Sequence, residues 1–439
     1  MARTSVLGML AKTLQSICGL GRKYLLNYIE DNEIHWLVNR KIAPLNVHVD
    51  DAPPLRINLL IPEIDFRSFY GGYIAKFNLA QKLARHGNRV RIITVDQCDT
   101  TREDWVEIVR KYHGIEDVFD HIEVVRAFGR EEAIDFNSDD VIIATTWWTA
   151  HIANALLPQL AAGRFFYMIQ EYEPFTFPMG SYYALAHESY SFPHAAIFSS
   201  PTLRDYFQNM GYGVFAHAGG AQQSEPFENA ILTFDTGFDR GRSNTKKLLF
   251  YARPEPHAAR NMFEIGLTAL ENAIRSGSIP DDWEFYGIGT TYEDINLPNG
   301  KTLQMLGKVG LKEYQAMLPT YDVGLALMYT PHPSLLPVEM AAAGQVVVTN
   351  SCMNKTAAAL QAISGNFVVA EPTIPSVADA LVRATTLADD MSAREQGAQV
   401  NWSQDWDQTF SDELFRTMQG WFPAIRVAGK SAADATAPS

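Results

Sequence analysis

Continuous apolar runs alternate with segments of helical period along most of this chain. "RINLLIP" (56–62) reads as a strand buried on both faces, Gly71-Gly72 opens a helical stretch that reaches Gly87, and "RVRIITV" follows as a second strand. That is a βαβ unit. Further apolar runs stand at "IEVV" (122–125), "DVIIATT" (140–146), "RFFYMIQ" (164–170) and "AAIFSS" (195–200), most of them followed by helix-like segments. The stretch 219–247 is rich in turn formers and poorly periodic, as a linker should be. The pattern then restarts with strands "KLLFYARP" (247–254), "WEFYGIG" (283–289), "TLQMLGK" (302–308), "DVGLALM" (322–328), "QVVVTN" (345–350) and "NFVVAEP" (366–372), and an amphipathic helix over 260–277. Strands alternating with helices predict an α/β fold of two consecutive Rossmann-like, doubly wound domains, and 439 residues are too many for one ordinary core.

The boundaries follow from the same pattern. Residues 53–240 are the first Rossmann-like domain and 241–404 the second, with 405–425 an aromatic-rich helix returning to the first and 426–439 a small, polar, disordered tail. Residues 1–52 form an N-terminal helical extension. Its first 29 residues carry Arg3, Lys12, Arg22 and Lys23 with no acid before Glu30, and Leu7, Leu10, Leu14, Ile17, Tyr24 and Tyr28 make one apolar stripe. Such a helix packs on its own domain, lies on an anionic membrane, or pairs with a second copy in a homodimer. No uninterrupted apolar run reaches the length of a signal peptide or membrane span.

Charge and cysteine content narrow the function. A net charge of −14 argues against a general nucleic-acid binder, while leaving room for a local basic pocket. Three scattered cysteines make neither a disulfide framework nor a zinc pattern, which fits a reducing cytoplasm, including the inner face of the plasma membrane. Ligands of doubly wound sheets bind beyond the carboxyl ends of the strands, so the cleft between the domains is the expected site.

Several residues there invite chemistry. Glu339 is the one carboxylate in "PSLLPVEMAAAGQVVVTN" (333–350), and its simplest role is to complement a helix dipole. Arg253 ends the strand of "FYARP", Arg260 opens the next helix, and Lys308 follows the strand 302–306: three cations for one anion. Each also has an ordinary reading as a surface side chain. In the first domain Gly71 and Gly72 allow close backbone approach at a helix start, without the G-x-G-x-x-G of a dinucleotide site. Glu171, Tyr172 and Glu173, in "QEYEPFTFPMGSYY" (170–183), either contact an acceptor or clamp the two domains. Trp147 and Trp148 read as core. Asp405-Trp-Asp407 is the one D-x-D and falls away from the strand ends, and no His/Cys cluster is present, so no metal is expected.

"FYARP", "RN" at 260–261, "LGK" at 306–308 and "PVEMAAAGQVVVTN" together resemble the donor half of GT-B glycosyltransferases, most closely the GT4-like rhamnosyltransferases of the WsaF type. The resemblance implies a nucleotide-sugar donor, dTDP-rhamnose, and a hydroxyl acceptor on a growing, lipid-linked or free glycan. Arg253 and Lys308 would serve catalysis, Arg253, Arg260, Lys308 and Glu339 would bind the donor, and no metal or other cofactor would take part. A Glu339 carboxylate is able to accept hydrogen bonds from both ribose hydroxyls. The sequence departs from the GT4 E-x7-E pattern, because the earlier position is Pro331. Two rivals stand beside this reading: a nucleotide-sugar 2-epimerase on the same fold, and a two-domain solute-binding protein, which would need an export signal.

Overall fold

The computed structural model describes residues 38–64, 71–112, 114–238, 245–290, 293–307 and 309–428. Residues 38–42 are helical, and β1 (Val47–Asp50) then pairs in parallel with β5 (Ile134–Asn137) as a small separate sheet. The first large sheet holds β2 (Ile57–Ile61), β3 (Val90–Thr94), β4 (Glu123–Arg126), β6 (Val141–Ala144), β7 (Phe165–Ile169), β8 (His194–Phe198) and β9 (Ser224–Pro226). They lie in the order β4-β3-β2-β6-β7-β8-β9, all parallel. The second holds β10 (Lys246–Tyr251), β11 (Trp283–Ile288), β12 (Ile295–Asn296), β13 (Thr302–Met305), β14 (Val323–Leu325), β15 (Val346–Asn350) and β16 (Phe367–Ala370). Their order is β12-β13-β11-β10-β14-β15-β16, antiparallel only at β12.

Apolar runs make these strands because both sheet faces are covered. Ile57, Leu59 and Ile61 enter one core of the first unit and Leu60 the other; Leu248 and Phe250 divide from Leu249 in the same way in the second. The strand order reverses between β2 and β6 and again between β10 and β14. Each reversal leaves a crevice at the carboxyl edge, where the loops on either side diverge.

Four weakly patterned strands escaped the periodicity. β1 lies inside the segment expected to be helical, since the alternation of Val47 and Val49 seats them against the core that holds Ile134 and Phe136. β9 falls inside the expected linker, so the crossing to the second unit starts only at Phe227. β5 and β12 are too short to stand out. The basic stripe of residues 1–29 and the tail 429–439 lie outside the described residues, while 426–428 are held by Asn88 Oδ1 accepting from Arg426 N (2.7 Å) and His86 Nδ1 from Ala428 N (3.2 Å).

The chain crosses between the units twice, and the crossings are zipped together. Ile231 N donates to Ser403 O (3.0 Å), Ser403 N to Glu228 Oε2 (2.9 Å) and Trp402 Nε1 to Asn229 O (2.9 Å). The Asp412–Trp421 helix, capped by Ser411, then buries Leu414, Phe415, Met418 and Trp421 in the same core as Ile57, Leu59 and Phe166. Its apolar face is part of the first unit. Phe415 is fully buried, so Phe415→Ala should cost about 3–5 kcal/mol of stability, against about 0.5 or less for the exposed Glu413→Ala. Urea titration of both variants checks this; equal midpoints would mean that the helix is dispensable.

One buried ion pair positions the site. Arg394 donates to Asp322 Oδ1 (2.9 Å) and to Gly344 O (2.8 Å), while Asp322 Oδ2 accepts from Lys247 N (3.0 Å). The starts of β10 and β14 and the end of the Leu335–Ala342 helix are thereby tied together.

Candidate active site at the carboxyl edge of the second sheet

Arg253 stands just past β10, at the reversal. Its guanidinium donates from Nε to Glu255 Oε2 (2.9 Å) and from Nη1 to Tyr251 Oη (3.2 Å), and Nη2 meets His257 Nε2 at 3.1 Å. Three contacts fix the fork. Gly289, with φ +119°, lets it lie there, because a Cβ at that position would come within 2.7 Å of Arg253 Cδ. Arg260 donates from Nη1 to His257 O (3.1 Å), so the turn Pro256–Asn261 gathers both arginines on one edge. Arg260 was expected to open a helix. It lies instead in this 3-10 turn; Met262, at φ +50°, breaks the path, and the helix begins at Phe263. The helix-dipole argument for an anion site at Arg260 therefore falls away.

The loop after β14 forms the opposite wall. Lys355 Nζ reaches up to donate to Met328 O (2.7 Å) and His332 O (3.5 Å), Asn350 bonds both backbone groups of Met328, and Ser334 N donates to His332 Nδ1 (2.9 Å). Burial lowers the Lys355 ammonium to about 8 and the His332 imidazole to about 4. Ser334 has φ +68° and ψ 150°, a region natural to glycine that costs a serine about 1–3 kcal/mol, so the surrounding bonds must impose it.

From that strained residue the Leu335–Ala342 helix starts, and Glu339 is its fifth residue. Its first turn holds no acid, which removes the helix-dipole explanation of Glu339. The half-buried carboxylate accepts from Tyr314 Oη (2.6 Å) and from the Leu232 N–H, and burial pushes its pKa up to about 7 against those two bonds. Tyr314 feels both Glu339 and Tyr251. Glu339, Tyr314, Tyr251, Arg253, His257 and Arg260 thus follow one another along the sheet edge.

The first unit meets this edge directly. Gly71 faces Leu335, whose Cδ1 would lie 2.3 Å from an added Cβ, and Asn354 Nδ2 donates to Thr202 O (2.7 Å). Gly72 O accepts from Gln170 Nε2 (3.0 Å). Both glycines thus allow close packing, Gly71 against Leu335 of the second unit and Gly72 against Gln170. Glu171 approaches Arg260, with Oε2 3.9 Å from Nε. Tyr172 turns the other way: it is buried among Phe175, Tyr190, Tyr206, Phe207 and Tyr212, with its hydroxyl on His187 Nδ1 (2.8 Å), and so is withdrawn from the cleft. Glu173 accepts from Trp147 N, and burial raises its carboxyl to about 7 with Lys76 opposing. Trp147 is core, and the ring of Trp148 lies 4.2 Å from Lys41 Nζ.

Lys308 lies outside the described residues. Asp405 accepts from Asp407 N (2.8 Å) and Asp407 pairs with Lys82, so the D-x-D caps a short helix beside the first unit. Among the described residues no group of three His, Cys, Asp or Glu is placed to hold a metal ion. Sequence reasoning missed Tyr251, His257, Tyr314 and Lys355. Tyr251 and His257 flank the arginine in "FYARPEPH" and were within reach of the pattern; Tyr314 and Lys355 come from distant segments with no periodic signal.

Comparison with known proteins agrees with this architecture. The model of the WsaF N-terminal domain matches residues 56–200 and that of the WsaF C-terminal domain residues 246–382, together more than half of the chain. The O-antigen biosynthesis protein RfbC of Myxococcus xanthus is 31% identical over 234 residues, which make up 53% of this chain and 17% of that protein. The chain therefore spans only a small part of that relative. Among solved structures, HepE of Anabaena in complex with UDP-glucose superposes with a TM-score of 0.52 at 14% identity, covering 84% of this chain and 98% of that one. An α,α-trehalose-phosphate synthase (UDP-forming) of Burkholderia xenovorans gives 0.51 at 13% identity over 83% and 100%. At such identities these two speak for the fold alone. With one WsaF domain model on each of two doubly wound sheets, the chain belongs to the WsaF family and has the two-domain GT-B fold.

Proposed function

We propose that this chain transfers rhamnose from dTDP-rhamnose to a hydroxyl of a growing cell-surface polysaccharide, without a metal ion. The observation that carries the reading is the row from Glu339 through Tyr314, Tyr251 and Arg253 to Arg260 at the strand-order reversal. A carboxylate at one end suits a ribose diol, and two guanidiniums at the other suit a diphosphate. The acceptor oxygen bonds to the anomeric carbon as the bond from that carbon to the diphosphate oxygen breaks, the electron pair leaves with the phosphate, and the acceptor proton passes to a phosphate oxygen. Arg253 meets the charge that grows on the leaving oxygen, and its three fixed contacts mean that it need not reorganise to do so. HepE crystallised with a nucleotide sugar and RfbC named for O-antigen synthesis are consistent with this assignment.

A panel of dTDP-rhamnose, UDP-glucose and GDP-mannose tests it. The first should give the largest rise in Tm, since a ligand at 100 times its Kd adds about 2.7 kcal/mol to stability. Transfer, followed as release of dTDP in the presence of glycan acceptor, should persist in excess EDTA. A panel that leaves Tm unmoved would end the transferase reading, a preference for UDP-glucose would replace the sugar, and recovery only with added Mg²⁺ would end the metal-free account.

A further inference from the structure

Glu171 belongs to the first unit, just past β7, yet its charge is supported mostly by the second. Tyr172 N donates to Oε1 (3.1 Å) from its own segment; Arg260, Lys355 and the Thr330 hydroxyl approach from across the cleft. The pairing with Arg260 is poor for two partly buried groups, whose side chains are 29% (Arg260) and 14% (Glu171) exposed. At 3.9 Å the contact is ionic without a hydrogen bond, and Arg260 Nε has no hydrogen-bond partner. Lys355 is committed to Met328 O and His332 O, so it lends Glu171 charge and no better geometry. Arg260 is thus neutralised but under-used. A phosphate offers several acceptor oxygens to a guanidinium fork that one distant carboxylate oxygen does not satisfy.

We propose that Glu171 stands in for the diphosphate on Arg260 when the cleft is empty, and that donor binding displaces it. This rests on the transferase reading above. Two consequences follow from like charge in a desolvated cleft: Glu171 weakens nucleoside diphosphate binding, and it speeds departure of the nucleoside diphosphate after transfer. It is a positioning residue for Arg260 and touches no reacting atom.

Calorimetric titration of dTDP and UDP into the whole chain tests the competition. Glu171→Gln keeps the shape and removes the charge, and should bind the better of these diphosphates about tenfold more tightly, through slower dissociation; affinity for the matching nucleoside, thymidine or uridine, should not move. Arg260→Met should weaken diphosphate binding, and adding Glu171→Gln to it should restore nothing, because the competitor then has nothing to compete for. Unchanged or weaker diphosphate binding in Glu171→Gln overturns the proposal, as does a gain that survives Arg260→Met or appears equally for the nucleoside. Glu171→Ala gives a second reading of the same charge removal; loss of the fold in both variants would also overturn the proposal, since a competitor for ligand is not needed for folding. If the wild type bound neither diphosphate, the transferase reading itself would fail, which is a different result from binding that Glu171 does not influence.

Discussion

Arg253→Ala should lower the rate of sugar transfer on the order of 10²–10³-fold while changing dTDP affinity less than about tenfold. The split follows from when the charge appears. Bound donor already carries a diphosphate, but the bridging oxygen gains most of its negative charge only as the glycosidic bond breaks, and a cation held at that edge is worth more there than in the ground state. Arg253 is held in place by Glu255, Tyr251 and His257, so its field is fixed before the substrate arrives. Arg260, by contrast, keeps an unpaired Nε and faces Glu171, which suits ground-state capture. Arg253→Lys should recover little, because one ammonium cannot reproduce three directed contacts. Single-turnover kinetics beside dTDP titration checks this: an equal loss in affinity and no loss in rate would make Arg253 a binding residue only.

How much of this was legible beforehand divides along physical lines. Long buried strands such as "RINLLIP" and "KLLFYARP" announce themselves because parallel sheets covered on both faces need uninterrupted apolar runs. β1 and β12 do not, being four and two residues long. Site residues that follow a strand directly, Arg253 above all, can be read from the strand. Tyr172 misled because an aromatic residue in a loop looks the same whether it faces a sugar or its own core, and only the packing of Phe175, Tyr206 and Tyr212 around it decides. Lys355 could not be found at all, since its partners are the carbonyls of residues more than twenty positions earlier. Glu339 was visible as an anomaly with two readings, a dipole role and a ribose ligand, and the helix start at Leu335 withdrew the first.

Glu339→Gln separates what that carboxylate does for the fold from what it does for the ligand. Burial raises its carboxyl from the ordinary value near 4.5 to about 7, so the folded chain prefers it protonated. The associated gain in stability is complete below about pH 4.5 and is lost as pH rises through about 7, which leaves the ligand-free wild type at pH 8 carrying an unfavourable buried charge. Solvent reaching the half-buried group limits that penalty to about 1–2 kcal/mol, so Glu339→Gln, whose amide oxygen still accepts from Tyr314, should melt at or above the wild type at pH 8 and converge with it at pH 5. Binding should run the opposite way. The ionised carboxylate is the stronger acceptor for a ribose diol, and its removal costs about 1.5–3 kcal/mol, a roughly 10–150-fold rise in the dTDP dissociation constant at pH 8. Wild-type affinity should therefore strengthen as pH rises through about 7, and that of the variant should not follow. A side chain that destabilises the empty protein and tightens the loaded one is there for its ligand. Melting curves and dTDP titrations at pH 5 and pH 8 give both readings from one pair of proteins, and equal dTDP affinity in the two at pH 8 would remove Glu339 from the ribose.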